Sequence, residues 1–366
     1  MKSKLIAVAA VCACISGLAL KGRWQAYAGE VPLSAYKVLA PIRHGNLTVF
    51  PVVARISHDT NAFLTLDEGL RTGEVVITES GEVNPLIRRG RWPERPVHNP
   101  LRQAQVNQLV LVNNSKRPLI LLAGEIVTGG KQDRVIAKDR IVPAESDPID
   151  LGVFCVEPGR WVASSTDFGS GKMLMAAPAV RGKAMADKNQ AQVWSEVRKA
   201  QQAVVAAPLP APDLEEVQST SSYARVMENK SIQKHLDSIA APIEADYSSL
   251  IRQLRNQNAV GVVVAVNGEI IWADIFGSTE LLQKYWPKLI RSYAAEAMVT
   301  RTSQTSVSEK TAQEFLEDMD GRHETVESEP GLYRHTEITG DGFKAFELTS
   351  LLPKTGFDLH IAKMAE

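Results

Sequence analysis

The densest chemistry in the chain lies between Pro118 and Trp161, where Gly129-Gly130 is followed at once by Lys131, Gln132, Asp133 and Arg134. Glu125 precedes this run, and Glu157, Arg160 and Trp161 follow it, beyond the thiol of Cys155. Paired glycines let a backbone come close to a bound molecule. Lys131 and Arg134 can hold an anionic group there, with Glu125 or Asp133 as acid or base. The same residues also admit a structural use, in which Asp133, Arg134, Glu157 and Arg160 pair with one another and pin two strands together. The segment presents more polar groups than such pairing needs. That surplus favours a pocket lined by Glu125, Lys131 and Arg134, with Gln132, Asp133, Glu157, Arg160 and Trp161 around it.

Several better-known chemistries are excluded. Gly124 and Gly129 have P-loop spacing, but an extra Gly130 precedes Lys131, and Gln132 stands where a hydroxyl would hold magnesium. The histidines are scattered, with no His-x₃-His or Cys-x₂-Cys spacing for zinc, and no Gly-x-Ser-x-Gly elbow occurs. No metal and no cofactor is therefore expected. Cys155 sits in Leu151–Val156, a run apolar on both faces, and has no sequence-adjacent histidine to activate it. It reads as a buried, inert thiol.

The elements that must position these groups are mostly strands. LTVFPVVAR from Leu47 reads as a strand in which Pro51 marks an edge or a bulge. Thr65 and Glu68 form a capping box for a short helix ended by Gly73, followed by a strand over Val75–Glu79. Gln108–Val112 and Leu119–Leu122 read as a hairpin turned at Asn113-Asn114-Ser115. A helix is expected over Ala179–Ala206, stopped by the APLPAP stretch of 207–212. Two more helices, Ser231–Ala240 and Glu244–Arg255, are expected on either side of Pro242. Ala259–Phe276 is the clearest hairpin, turned at Asn267-Gly268. Glu280–Met298 is an amphipathic helix with an apolar row of Leu281, Tyr285, Leu289 and Tyr293 and a basic face of Lys284, Lys288 and Arg291. Pro287 should kink that helix or mark its start. A short helix around Ala312 and Leu316, then a meander turned at Gly340-Asp341-Gly342, complete the chain. Such interspersed antiparallel strands and helices place the fold in the α+β class.

At these residues a resemblance appears. Gly124-Glu125-Ile126, the Gly129–Val135 run and Cys155–Trp161 are similar to the ARG and rhodanese-phosphatase-superfamily-associated protein domain family. So are Val264–Phe276, Lys284–Leu289 and Arg291–Tyr293, and with Leu47–Glu79 the resemblance covers most of Leu47–Met298. It implies no particular activity and carries over no catalytic residue.

Of the 366 residues, 44% are hydrophobic and 23% charged, which suffices for a real core. The net charge of −1 gives no general attraction to nucleic acid, and none is expected as a partner. Arg88–Pro96 is locally basic around Trp92; it reads as a solvated loop with Trp92 packed back, or else as a contact for an anionic polymer. Lys2 and Lys4, the apolar run Leu5–Leu20 and Ala26-Tyr27-Ala28 have the layout of a signal peptide cleaved near Ala28. The competing reading is an uncleaved anchor, for which the apolar run is short. Cleavage would remove Cys12 and Cys14, leaving Cys155 alone and no intrachain disulfide. The mature protein is then expected in the periplasm or outside the cell, away from the membrane.

The organisation expected is a leader over 1–28, an N-terminal α+β region over 29–206, a linker over 207–222 and a C-terminal α+β region over 223–366. Two functions fit. One is a binding or sensing domain for a small polar or anionic ligand or a partner protein. The other is a hydrolase using Glu125, Asp133 or Asp274 as general acid or base.

Overall fold

The computed structural model describes residues 36–80, 107–165, 167–169, 174–206, 209–254, 257–300, 303, 305–329 and 331–366. The expected leader and the Arg88–Pro96 loop with Trp92 lie outside the described residues.

The hairpin of Asn258–Val266 and Glu269–Phe276 is the centre of the larger sheet. Its turn residues Asn267 and Gly268 have φ of 54 and 76, the left-handed values that a type I′ turn requires. Leu47–Ala54 and then Tyr36–Val38 pair on one side; Asp358–Ala365, Phe343–Ser350, Tyr333–Gly340 and Gly321–Glu329 follow on the other. Every neighbouring pair in this sheet is antiparallel. Leu47–Ala54 is an inner strand despite Pro51. Its outer partners, Tyr36–Val38 and Ile42–His44, cover residues 52–54 and 47–49, so the proline falls in the gap between them, where no ladder N–H is needed.

Both faces of this sheet are buried, which explains its long apolar runs. Val262, Val264 and Val266 join Val49, Tyr285 and Leu289 in the main core, while Val263 and Ala265 join Phe50, Ala312 and Leu316 in a second. The Thr279–Val299 and Lys230–Gln253 helices contribute to the main core, and the short Glu309–Glu317 helix covers the other face. Lys230–Gln253 is one helix where two were expected, because its buried row of Ile232, Leu236, Ala240, Ile243 and Tyr247 continues through Pro242. An interior proline costs about 3 kcal/mol, and burying each large apolar side chain returns about 1.5–3 kcal/mol. Burial wins. The same holds at Pro287, well inside the helix that starts after the Ser278 cap.

A smaller sheet carries the central stretch. Its order is Phe168–Gly169, Ile126–Gly129, Arg134–Ile136, Ile149–Cys155, Gln108–Asn113 and Val75–Glu79. A bridge between Thr78 and Asp167 joins the two end strands, so the sheet closes on itself. Val75, Ile77, Leu109, Leu111, Val127, Ile136 and Val153 share a separate core with Leu119 and Leu121. The expected hairpin of Gln108–Val112 with Leu119–Leu122 does not form. Gln108–Asn113 pairs in the closed sheet, whereas Leu119–Leu121 pairs with Arg140–Val142 and Leu64–Thr65. Asn113 diverts the chain: it is buried, and its amide donates to the carbonyls of Arg117 and Pro143. Both runs are apolar throughout, so their pattern alone could not choose partners.

The capping box is present, with Thr65 and Glu68 bonded reciprocally and Gly73 ending the Leu66–Thr72 helix at φ 72. The helix expected over Ala179–Ala206 is interrupted. Pro178–Gly182 runs into a π-helical turn over Lys183–Asp187; Lys188 then takes φ 50, and Asn189 caps the Gln190–Val205 helix. Residues 207–222 contain a further helix, Ala211–Gln218, whose Val217 belongs to the main core. Strands and helices alternate irregularly among antiparallel sheets, with one parallel pair at Leu64–Thr65. The fold is α+β. No helix among the described residues is long and apolar enough to cross a membrane.

Candidate functional site

Gly129–Asp133 is the tight connection between two strands of the closed sheet, Ile126–Gly129 and Arg134–Ile136. Gly129 and Gly130 have φ of 128 and 50, conformations that favour glycine. A Cβ on Gly129 would meet Ser165 Oγ at 2.5 Å, and one on Gly130 would meet the Phe168 ring at 2.2 Å. The close approach expected of this pair is therefore made by the protein's own Ser165, Asp167 and Phe168.

Side chains satisfy the backbone of the turn. Gly129 N–H donates to Asp133 Oδ1 (3.0 Å), Gly130 N–H to Ser165 Oγ (3.1 Å), Lys131 N–H to Glu79 Oε1 (2.7 Å) and Asp133 N–H to Glu157 Oε2 (3.0 Å). Arg160 binds Glu157 at 2.5 Å, stands 3.6 Å from Asp133, and donates to the carbonyls of Gly130 and Val162. Asp133 Oδ2 accepts a 2.5 Å bond from Ser222, which also caps the Tyr223–Glu228 helix. Burial pushes the Asp133 carboxyl above its ordinary pKa; the Ser222 bond offsets part of this, and Glu157 adds to it.

Of the residues proposed from sequence, Lys131, Gln132, Asp133, Arg134, Glu157, Arg160 and Trp161 come together at this rim. They do not share one role. Asp133, Glu157 and Arg160 form the paired network that the structural use foresaw. Arg134 is fully buried, donates to the Gln132 carbonyl and lies 3.8 Å from Glu79, so it belongs to the interior. Lys131 is half-buried, with its ammonium 5.2 Å from the Trp161 ring centre. Trp161 and Val162 are exposed. A cleft of about 240 Å³ opens beside the network, lined by Asp133, Arg160 and Ser164 and, from the next helix, Arg225 and Glu228.

Glu125 points elsewhere. Its carboxylate accepts from Leu122 N–H (2.7 Å) and from the buried Lys288 ammonium, which also reaches Asp67 at 2.5 Å. Two carboxylates, one buried and one at a cleft, thus share one buried ammonium. Burial, and the second carboxylate of Asp67, raise Glu125 to about 6 against the pull of Lys288. Lys288 stays charged, because Glu125 and Asp67 outweigh its burial. Asp67 lines a separate, larger cleft of about 1090 Å³.

A second buried network lies behind the turn at Gly124, whose φ is 92 and whose Cβ would collide with the Arg181 side chain at 2.4 Å. Arg181 holds Asp274 through two bonds of 2.9 and 3.0 Å, and Tyr293 donates to the same carboxylate. His360 bridges Asp139 (2.5 Å) and Asp274 (3.0 Å). Burial alone would lower His360, but the two aspartates raise it to about 9, so it is an imidazolium donating from both nitrogens. Arg181 and His360 in turn hold Asp274 far below the ordinary carboxylate range despite its burial. A carboxylate so occupied, with no exposed surface, is a poor general base.

Sequence reasoning missed Glu79, Ser164, Ser222, Arg225 and Glu228. Ser222 carried a signal, since serine before a helix is a common N-cap. Glu79 and Arg225 carried none. Lys288, expected on a basic face, is drawn inward by Glu125 and Asp67. Cys155 is fully buried, its backbone bonded both ways to the Gln190 amide, and burial raises its thiol pKa. Among the described residues, no group of three or more His, Cys, Asp or Glu is arranged to hold a metal ion.

The family model of the ARG and Rhodanese-Phosphatase-superfamily-associated Protein domain matches residues 35–362. No curated protein and no solved structure matches the chain.

Proposed function

The chain belongs to that family, and we propose that it is an exported binding or sensing domain that takes a small polar molecule with an anionic group at the Asp133–Arg160 rim. One observation carries the reading. The cleft there is lined by both signs of charge, Asp133 and Glu228 together with Arg160 and Arg225, and by Ser164. Hydrogen bonds in which one partner is charged are stronger than neutral ones, so a small ligand bringing both donors and acceptors gains there. Arg225, exposed on the cleft wall, supplies a cation for its anionic end. At about 240 Å³ the cleft is below the roughly 300–1,000 Å³ of drug-sized sites, which favours a ligand of few heavy atoms. A thermal-shift screen of small hydroxy acids, amino acids and phosphates tests this. A hit that stabilises the wild type but not Arg225→Ala supports it, and a panel without any hit counts against it.

The hydrolase alternative is favoured by a single residue. Of Glu125, Asp133 and Asp274, only Glu125 combines a pKa of about 6 with a link, through Lys288 and Asp67, to a large cleft. Glu125 itself is buried, so Asp67 would have to meet the substrate.

Export rests on the leader alone. Intact mass of secreted material should place the N-terminus at Gly29; a retained Met1–Leu20 segment in membrane fractions would contradict it.

A further inference from the structure

Most of the charge at the Asp133–Arg160 rim is committed within the protein. Arg160 is shared between Glu157 and Asp133 and donates to the carbonyls of Gly130 and Val162. Asp133 accepts from Gly129 N–H on one carboxylate oxygen and from Ser222 on the other. The Ser164 hydroxyl donates to the Gly130 carbonyl at 3.3 Å. The charged groups left to meet a ligand in the cleft are Arg225 and Glu228, on its helical wall.

These two lie three positions apart on the Tyr223–Glu228 helix, so their side chains are neighbours. Opposite charges at this spacing commonly pair, as Glu196 and Lys199 do at 2.8 Å. Arg225 and Glu228 do not. Among the described residues, neither the guanidinium nor the carboxylate has a hydrogen-bond or ion-pair partner. Arg225 is exposed and Glu228 half-buried. The Ser222 hydroxyl both caps this helix and holds Asp133, so the two charges stand on a wall fixed to the Gly129–Asp133 turn.

We propose that the rim is selective for a small α-amino acid, whose carboxylate pairs with Arg225 and whose ammonium pairs with Glu228. This selectivity rests on the rim being a ligand site, and it adds a cationic group to the anionic one argued above. An α-amino acid carries its two charges side by side, as one turn of this helix does. The planar guanidinium can take the carboxylate through two parallel bonds. A cleft of about 240 Å³ suits a side chain of few heavy atoms, such as those of glycine, alanine and serine.

Titration calorimetry with glycine, L-alanine and L-serine tests this at constant ionic strength, beside glycolate, L-lactate and L-glycerate as the same skeletons without an ammonium. At least one amino acid should bind saturably and exceed its hydroxy acid by about tenfold, one charge-assisted bond. Glu228→Gln should erase most of that preference, and Arg225→Ala should weaken both classes. Neither side chain holds another described part of the chain, so both variants should melt with the wild type. Hydroxy acids binding as tightly as the amino acids, and through Arg225, would overturn the zwitterion while leaving an anion site at the rim. A preference for amino acids that survives Glu228→Gln would also overturn it. If none of the six binds, the amino-acid selectivity falls; phosphates binding through Arg225 would then still uphold the rim, and the lack of any Arg225-dependent ligand would end both.

Discussion

Ser222 donates a 2.5 Å hydrogen bond to Asp133 across 89 residues of chain. The Gly129–Asp133 turn is therefore anchored by a helix that the sequence places in its other half. Ser222 is fully buried, and its hydroxyl also accepts from Arg225 N–H at the start of that helix. Ser222→Ala should cost about 1–3 kcal/mol by leaving a buried carboxylate oxygen unpaired. Urea unfolding measures it, and a change below roughly 0.5 kcal/mol, the scatter of surface substitutions, would deny the anchor.

Lys131 and Arg134 are three positions apart, and the structure separates their roles. Lys131→Ala should change stability by no more than about 0.5 kcal/mol, as at other open positions. Arg134 is fully buried beside Glu79, and truncating one member of a buried pair costs about 3–5 kcal/mol. Thermal melts of the two variants should differ accordingly; equal melts would place Arg134 at the surface.

This difference marks the limit of what the sequence disclosed. Lys131 to Arg134 lie in one turn and Glu157 to Trp161 just past one strand, so each group was legible by itself; they meet because the Arg134–Ile136 and Ile149–Cys155 strands pair. The capping box at Thr65 and the Asn267-Gly268 hairpin were legible for the same reason, since each follows from a few adjacent residues. Which polar group faces inward depends on partners far along the chain. Glu125 left the predicted pocket because Lys288 and Asp67 meet it in the core, and Arg134 was buried by Glu79. Strand partnering failed at Gln108–Asn113, where apolar runs carry no address and the buried Asn113 amide decided the path.

His360 should make stability fall in alkali. Its folded pKa of about 9 lies above the ordinary 6.5, because Asp139 and Asp274 bind its charged form. That stabilisation is complete below pH 6.5 and disappears as pH rises through about 9. Urea midpoints followed from roughly pH 6 to pH 10 should decline in the wild type more than in His360→Asn. Parallel profiles would mean that His360 is not held between the two carboxylates.

Cys155 should be inert while the chain is folded. It has no exposed surface, and burial raises its thiol pKa, so the reactive thiolate is scarce. Labelling with a chromogenic disulfide should be slow in buffer and fast in denaturant. Rapid stoichiometric labelling of the native protein would reopen a nucleophilic role.

The central claim is that a small ligand binds beside Asp133 and Arg160, and amide chemical-shift mapping tests it most directly. With a hit from the screen titrated into ¹⁵N-labelled protein, the amides of Gly129, Gly130, Ser164 and Arg225 should move together and saturably. Arg225→Ala should weaken the same titration by about tenfold, one charge-assisted contact. Saturable shifts confined to another surface, or an affinity indifferent to Arg225, would contradict a binding site at this rim.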